Sequence, residues 1–187
     1  AQMGYRLEHS YRVANIARTM AAREGMEDTL AVLGGLLHDI AYCEGIASRE
    51  DWKNHGRRSA AMARPFLLGL GLTDREVNEI CYAIAIHVDD EADFSWQRNA
   101  FSETIGDADN IDRFDAYRIY ETLECQKFSS LSLAEKREKT ESMLVQLKKL
   151  RDMKLGTPAA MELWHSRVGD YISFYEKLRE QLEASDR

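Results

Sequence analysis

Five histidines are the residues of this 187-residue chain whose chemistry is most informative. His38 is followed directly by Asp39, at the end of an apolar segment that begins near Leu30. An ionised carboxylate in such a place destabilises the fold by several kcal/mol unless a cation or a hydrogen-bond network compensates it. Either a bound metal ion or a buried ion pair with Arg12 or Arg18 would meet that requirement.

Further residues of metal-binding type are distributed so that each predicted core helix carries one. His9 lies on the first helix, His55 at the start of the third and His87 at the end of the fourth, and Asp109 follows later in the chain. Imidazole and carboxylate ligands together suit Zn²⁺, Fe²⁺, Mn²⁺ or Co²⁺, with less preference for one metal than a thiolate cluster would give. His165 lies outside this pattern, and we do not expect it to bind metal.

Three segments resemble the signature of the HD-domain superfamily of metal-dependent phosphohydrolases, in the order in which that family carries them. They are His9-Ser10-Tyr11-Arg12-Val13-Ala14, Leu36-Leu37-His38-Asp39-Ile40 and Asp107-Ala108-Asp109-Asn110-Ile111-Asp112. The resemblance extends from about residue 4 to residue 116. It implies an all-α fold, a metal centre and the hydrolysis of a phosphate ester or anhydride by metal-activated water.

The resemblance also implies roles for the matching residues. Four of them correspond to the ligands of the family's first metal ion: His9, His38, Asp39 and Asp109. His55 and His87 correspond to the two additional histidines of members that hold a second ion, which Asp39 would then bridge. With a single ion, His55 and His87 would bind phosphate or transfer protons. We therefore expect one or two ions of Mn, Fe, Co, Ni or Zn, and catalytic roles for Asp39, His55 and His87.

A hydrolase of this kind also requires cations that neutralise the phosphate of the substrate. Lys53, Arg57 and Arg58 cluster in sequence, and we expect them to bind the substrate, the alternative being a solvated helix start. Arg12 is expected to pair with a core carboxylate. Asp112 is expected to orient a ligand histidine rather than to bind metal.

Apolar residues recur at intervals of three or four almost throughout, which predicts an all-α fold. The second predicted helix is apolar on nearly all sides and therefore belongs at the centre of a bundle. The predicted helices cover residues 5–24, 28–40, 55–70, 73–87 and 102–126, followed by two that begin after the capping residues Ser132 and Thr157. Polar residues at 43–54 and 88–99 predict loops.

We expect a single HD domain over residues 1–187, a helical bundle whose motif-bearing core covers about 4–126. A C-terminal helical extension covers about 129–187. Its last helix carries a continuous apolar stripe that begins at Met161 and Trp164, which either completes the core or pairs with a second subunit. A homodimer is therefore an expectation.

The overall charge excludes one class of partner. The chain has 25 Lys and Arg against 32 Asp and Glu, a net charge of −7, which argues against a nucleic-acid polymer. It suits a small phosphorylated substrate, because bound divalent ions and a few basic residues reverse the potential locally. No stretch approaches the roughly 20 apolar residues of a membrane-spanning helix. Three separated cysteines form no disulfide pattern, so we expect a cytoplasmic protein.

The leading hypothesis is a metal-dependent phosphohydrolase that acts on a nucleotide or another small phosphorylated metabolite. Two alternatives come from the same resemblance. One is a di-iron oxygenase of the HD-domain type, in which the same six ligands activate O₂. The other is a non-catalytic nucleotide-binding module with a regulatory role.

Overall fold

Every regular element of the described chain is helical, which confirms the all-α prediction. The computed structural model describes residues 2–114 and 116–186. Its α-helices are α1 (Gln2–Arg23), α2 (Asp28–Leu37), α3 (Arg49–Gly69), α4 (Asp74–Ile86), α5 (Ala100–Asp112), α6 (Ala116–Cys125), α7 (Leu133–Leu150) and α8 (Pro158–Glu183). Short 3₁₀ helices cover Ile40–Glu44 and Phe128–Ser130. None of the described helices combines the length and the apolarity that crossing a bilayer requires.

The chain forms two compact units. The first comprises Ala1–Asp112 and Leu155–Ala160, and the second comprises Arg113–Lys154 and Met161–Arg187. The expectation of one domain with a helical extension is not tested by this division and stays a prediction.

Helix α2 is the centre of the first unit, as its apolar composition predicts. It packs against α1, α3, α4 and α5. The residues around it are large aliphatic side chains with no solvent exposure, among them Met20, Ile80, Ile84 and Ile105. Burial of this kind stabilises the unit by about 25 cal/mol for each Å² of apolar surface removed from water.

Two glycines of α2 allow its neighbours to approach closely. A Cβ atom on Gly35 would lie 2.6 Å from the Cα of Ala14 in α1, and one on Gly34 would lie 2.7 Å from the Cδ1 of Ile105 in α5. Real Cβ atoms do not tolerate such distances. At Gly35 the contact is with backbone, so a side chain there would push α1 and α2 apart, whereas at Gly34 the Ile105 side chain would have to move. The three helices that meet here also carry most of the predicted metal ligands.

The polar segment at 43–54 is not a loop throughout, so this prediction is wrong in part. A 3₁₀ helix occupies Ile40–Glu44, and α3 begins at Arg49 rather than at His55. The cause is a capping box: the Ser48 hydroxyl accepts from the Asp51 N–H, and the Asp51 carboxylate accepts from the Ser48 N–H. Pro65 lies inside α3 and does not divide it.

Other predicted helix starts can be compared directly. The predicted capping residue Ser132 forms a capping box with Glu135, and Thr157 accepts from the Ala160 N–H as a cap does. Thr73 forms a capping box with Glu76 at the start of α4. The predicted start of the second helix at residue 28 matches α2, whose first residue is Asp28, and Glu27 precedes it without a side-chain hydrogen bond.

The single long helix predicted at 102–126 is wrong, because α5 ends at Asp112 and α6 begins at Ala116. Asp112 is held by hydrogen bonds within the first unit, and the Phe114 ring packs edge-on against Trp164 within the second, with ring centroids 4.7 Å apart. The chain turns between these two anchors. The break contains neither glycine nor proline, so apolar periodicity alone could not locate it.

In the second unit, α7 and α8 run antiparallel. The Trp164 Nε1–H donates to the Leu150 carbonyl at 3.1 Å near one end, and Arg137 donates to the Leu182 carbonyl at 2.7 Å near the other. The apolar stripe of α8 is buried at Trp164, Val168, Tyr171, Tyr175 and Leu182. A role for this stripe in a homodimer stays a prediction.

The close approach at Gly35 yields a stability prediction. Gly35→Ala should lower the free energy of unfolding by about 1–3 kcal/mol, because the added methyl group overpacks the contact with α1. Urea denaturation at constant metal concentration measures this. Gly69→Ala is the matched control, since a Cβ at Gly69 meets no atom within 4 Å, and it should be neutral or slightly stabilising. Equal stability of the two variants would contradict the packing argument.

Candidate metal centre

The helices of the first unit bring all six sequence-predicted ligands together in one buried cluster. α1, α3 and α5 carry theirs within the helix, whereas those of α2 and α4 lie just after the last helical residue. The six are His9, His38, Asp39, His55, His87 and Asp109. The exposed fraction of each side chain is 6% or less. Such burial of ionisable groups requires specific compensation.

Each of the four imidazoles is oriented by a hydrogen bond from its Nδ1 atom. His38, His55 and His87 donate to the backbone carbonyl three residues earlier, at 2.8, 2.5 and 2.6 Å respectively. His9 donates to the Asp112 carboxylate at 2.7 Å. Because these oxygens only accept, Nδ1 carries a hydrogen in every ring, and the lone pair of a neutral ring lies on Nε2. The four Nε2 atoms all face the centre of the cluster.

Asp39 lies between two groups of these nitrogens. Its Oδ1 atom is 3.1 Å from His55 Nε2 and 3.8 Å from His87 Nε2. Its Oδ2 atom is 3.6 Å from His38 Nε2 and 3.8 Å from His9 Nε2. Asp39 thus forms one group with His9 and His38 and another with His55 and His87. Within each group the ligand atoms all lie within 4.8 Å of one another. This division fits two ions bridged by the Asp39 carboxylate.

Asp109 joins the group formed by His9 and His38. Its Oδ1 atom lies 3.1 Å from His9 Nε2 and 4.0 Å from His38 Nε2. The side of the cluster that faces Asp39 Oδ2 therefore has two imidazoles and two carboxylates, whereas the other side has two imidazoles and shares Asp39.

The donor atoms themselves indicate a cation. His38 Nε2 is completely buried and has no hydrogen-bond partner among the described residues. Burial lowers the pKa of His38 to about 4, so this atom carries a lone pair at neutral pH. The Nε2 atoms of His55 and His87 are 3.1 Å apart. Two nitrogens that bind one ion at about 2.1 Å are separated by roughly 3.0–3.4 Å, so the residues fit a divalent transition metal.

The charge balance of the cluster leads to the same conclusion. Burial alone would raise the pKa of Asp39, but the neighbouring imidazoles, first His38 and then His55 and His87, hold it well below its usual range. His38 is itself neutral near pH 7, so we regard the Arg6 guanidinium, 2.7 Å from Asp39 Oδ2, as the positive charge that acts there. Asp39 therefore stays ionised although it is buried.

His9 shows the opposite behaviour from His38. Burial alone would lower its pKa, but hydrogen bonds with Asp109 and Asp112 raise the pKa of His9 to about 9. In the metal-free protein a proton on Nε2 therefore faces Asp109 where a metal ion would otherwise be bound. Metal binding has to displace this proton, because only the neutral ring has a lone pair to offer.

Two residues outside the ligand set support His9 as the sequence predicts. Arg12 Nε donates to Asp112 Oδ1 at 2.8 Å, and Arg12 Nη2 donates to Asp112 Oδ2 at 3.2 Å. Asp112 in turn orients the His9 ring. The expected pairing of Arg12 with a core carboxylate and the expected orienting contact of Asp112 are both present.

Sequence reasoning did not single out Arg6. Its guanidinium donates to Asp39 Oδ2 and lies 3.6 Å from the centre of the Tyr42 ring. The signal that could have identified it is its position three residues before His9, one turn away on the same face of α1.

The predicted substrate-binding cations lie on α3, and two of them contact carboxylates of the protein. Arg57 contacts Asp89 at 3.3 Å and Glu91 at 2.8 Å, whereas Arg58 contacts Glu44 at 2.5 Å. Lys53 is exposed. The binding of substrate by Lys53, Arg57 and Arg58 stays a prediction.

The chain matches the HD domain family over residues 6–117, a range that includes all six ligands of the cluster. It belongs to the HD domain family. This match supports metal-dependent hydrolysis as the chemistry of the family to which the chain belongs.

A solved structure shares the fold of this HD domain. It is described as a predicted HD superfamily hydrolase from an uncultured Thermotogales bacterium. The two sequences are 20% identical, the alignment covers 94% of this chain and 80% of that chain, and the TM-score is 0.64. No curated protein matches the chain.

The division of ligands around Asp39 yields a prediction about metal content. The wild-type HD domain loaded with Mn²⁺ should bind two ions per chain, whereas His55→Ala and His87→Ala should each bind one. Elemental analysis after removal of free metal measures the ratio. His165→Ala, at an exposed position on α8, is the control and should retain two ions. Equal metal content in the wild type and the His55 variant would contradict the assignment of His55 to a second ion.

The raised pKa of His9 yields a second prediction. In metal-free protein the His9 ring should lose its proton as pH rises through about 9, and at pH 7.5 added metal should displace that proton. Histidine NMR resonances followed against pH, with and without Zn²⁺, measure both effects. The exposed His165 should be insensitive to Zn²⁺ bound at the cluster. Titration of metal-free His9 near pH 6.5 would be the contradictory result.

Proposed function

We propose that this HD domain is a metal-dependent phosphohydrolase that acts on a nucleotide or another small phosphorylated metabolite. The observation that carries the proposal is the position of Asp39 between two groups of inward-facing imidazoles. Substrate hydrolysis at such a centre requires open coordination positions and access from solvent.

Divalent ions at these residues would supply a water with a pKa of about 7 and would neutralise phosphate oxygens as charge develops on them. The protein residues provide the positioning. The Nδ1 hydrogen bonds orient the imidazole rings, and Asp39 lies between the two halves of the cluster. Catalytic roles for Asp39, His55 and His87 are part of this proposal.

A cavity beside the cluster supports a small substrate. It has a volume of about 580 Å³, and its lining includes Asp39 and Arg6. Sites for small molecules and cofactors commonly have volumes of about 300–1,000 Å³. The net charge of −7 is consistent with a substrate recognised locally at this cavity rather than with a long polyanion.

The test is phosphate release from a panel of phosphorylated metabolites after metal removal and reloading with Mn²⁺, Fe²⁺, Co²⁺ or Ni²⁺. Asp39→Ala should lower kcat/KM at least about a hundredfold, because it removes the carboxylate shared by both halves of the cluster. His165→Ala should retain full activity. Metal-dependent turnover that survives Asp39→Ala would exclude this cluster as the active site. Oxygen consumption without phosphate release would instead identify an oxygenase.

A further inference from the structure

We propose that the substrate is a phosphate monoester of an apolar alcohol or phenol, bound with its phosphate beside Asp39 and its apolar group in the adjoining cavity. This inference rests on the proposed phosphohydrolase function and narrows its substrate class. It is carried by the composition of the cavity wall and by the single cation within it.

The cavity wall is predominantly apolar. Most of its lining consists of aliphatic side chains and tyrosine rings: Leu7, Leu36, Ile40, Ile46, Tyr5 and Tyr42. Ser10 and the tyrosine hydroxyls are the uncharged polar side-chain groups of the described lining, apart from the Cys43 thiol. A substrate with several hydroxyl groups would leave most of them without hydrogen-bond partners against this wall, which weakens binding.

Only two charged side chains occur in the described lining, Asp39 and Arg6. Asp39 belongs to the metal cluster, so Arg6 is the one cation of the wall that a substrate anion meets. A single phosphate requires no more than this residue and the metal ions. A triphosphate would bring additional negative charge, and the described wall offers no second Lys or Arg to compensate it. Arg57 and Arg58 do not line the cavity, and their guanidiniums contact protein carboxylates.

Arg6 is placed to hold a phosphate next to the cluster. Its Nη1 donates to Asp39 Oδ2, and its guanidinium lies against the Tyr42 ring, so the side chain is held on two sides. A guanidinium has five N–H donors in one plane, and one of them is used by Asp39. Arg6 itself lines the cavity together with Asp39. The phosphate and the apolar group therefore each have a chemically matched region within one continuous space.

Hydrolysis rates of matched esters test the substrate class. Benzyl phosphate and glycerol 3-phosphate are both esters of aliphatic alcohols, so their comparison isolates the effect of the apolar ring from leaving-group chemistry. With Mn²⁺-loaded protein, kcat/KM for benzyl phosphate should exceed that for glycerol 3-phosphate by roughly tenfold or more. A nucleoside triphosphate should be the poorest substrate. Phosphate release that is fastest from the triphosphate, or equal for the two esters, overturns the inference and leaves the phosphohydrolase function intact.

Calorimetric binding provides a readout that does not depend on turnover. Benzylphosphonate should bind the Mn²⁺-loaded protein roughly tenfold more tightly than methylphosphonate. Arg6→Gln should weaken both phosphonates by similar factors, because it removes the phosphate contact and leaves the apolar wall. Absence of hydrolysis with every ester would contradict the proposed function, whereas equal affinity for the two phosphonates would contradict the substrate class alone.

A variant of the wall completes the test. Ile46→Asp should lower the benzyl-to-glycerol ratio of kcat/KM about tenfold, because a carboxylate replaces part of the apolar surface. Leu68→Asp is the matched control at an exposed apolar position of α3 outside the cavity, and it should leave the ratio unchanged. Melting curves of both variants verify that they fold. An unchanged ratio in a folded Ile46→Asp protein would overturn the inference.

Discussion

The first unit depends on one electrostatic constraint: an ionised carboxylate, Asp39, is buried among the Nε2 atoms of four imidazole rings. Neither group satisfies the other, because both are acceptors when the rings are neutral. The proton held by His9 and the guanidinium of Arg6 supply part of the missing positive charge. The buried carboxylates require more positive charge than these two residues supply. This explains why the cluster fits divalent ions and why so many helices converge on it.

That constraint also accounts for the tight packing of the helices. The ligand atoms come from three helices and from the residues that directly follow two others, so their separations are set by how closely the backbones approach. Gly35 allows α1 to approach α2, and Gly56 does the same between α3 and α4, where a Cβ would lie 2.6 Å from the Ala85 carbonyl oxygen. Glycine at these positions is therefore a requirement of the site geometry as well as of the core.

Helical periodicity was sufficient to predict the all-α fold, because it is encoded by near neighbours, and the resemblance to the HD-domain superfamily identified the six residues that cluster. Features that depend on distant contacts were missed. The turn after Asp112 arises from anchors on separate parts of the chain, and no local breaker marks it. Arg6 was missed because its role depends on a contact with Asp39, 33 residues away. The capping box at Ser48 is a local signal for the start of α3, but the segment was predicted as a loop because most of its residues are polar.

His38 and His87 directly follow the last residues of α2 and α4. The residue at which each helix ends therefore affects the metal site. The last carbonyls of a helix lack intrahelical amide partners. Gly35 and Ile84 lie in these final turns, and their carbonyls accept from the rings of His38 and His87. A helix extended by one more turn would make each ring share its carbonyl with a backbone amide, as His55 does with the Trp52 carbonyl inside α3. For His38 and His87 the end of the helix leaves the carbonyl to the ring, so the residue at which each helix ends also sets the direction of a ligand.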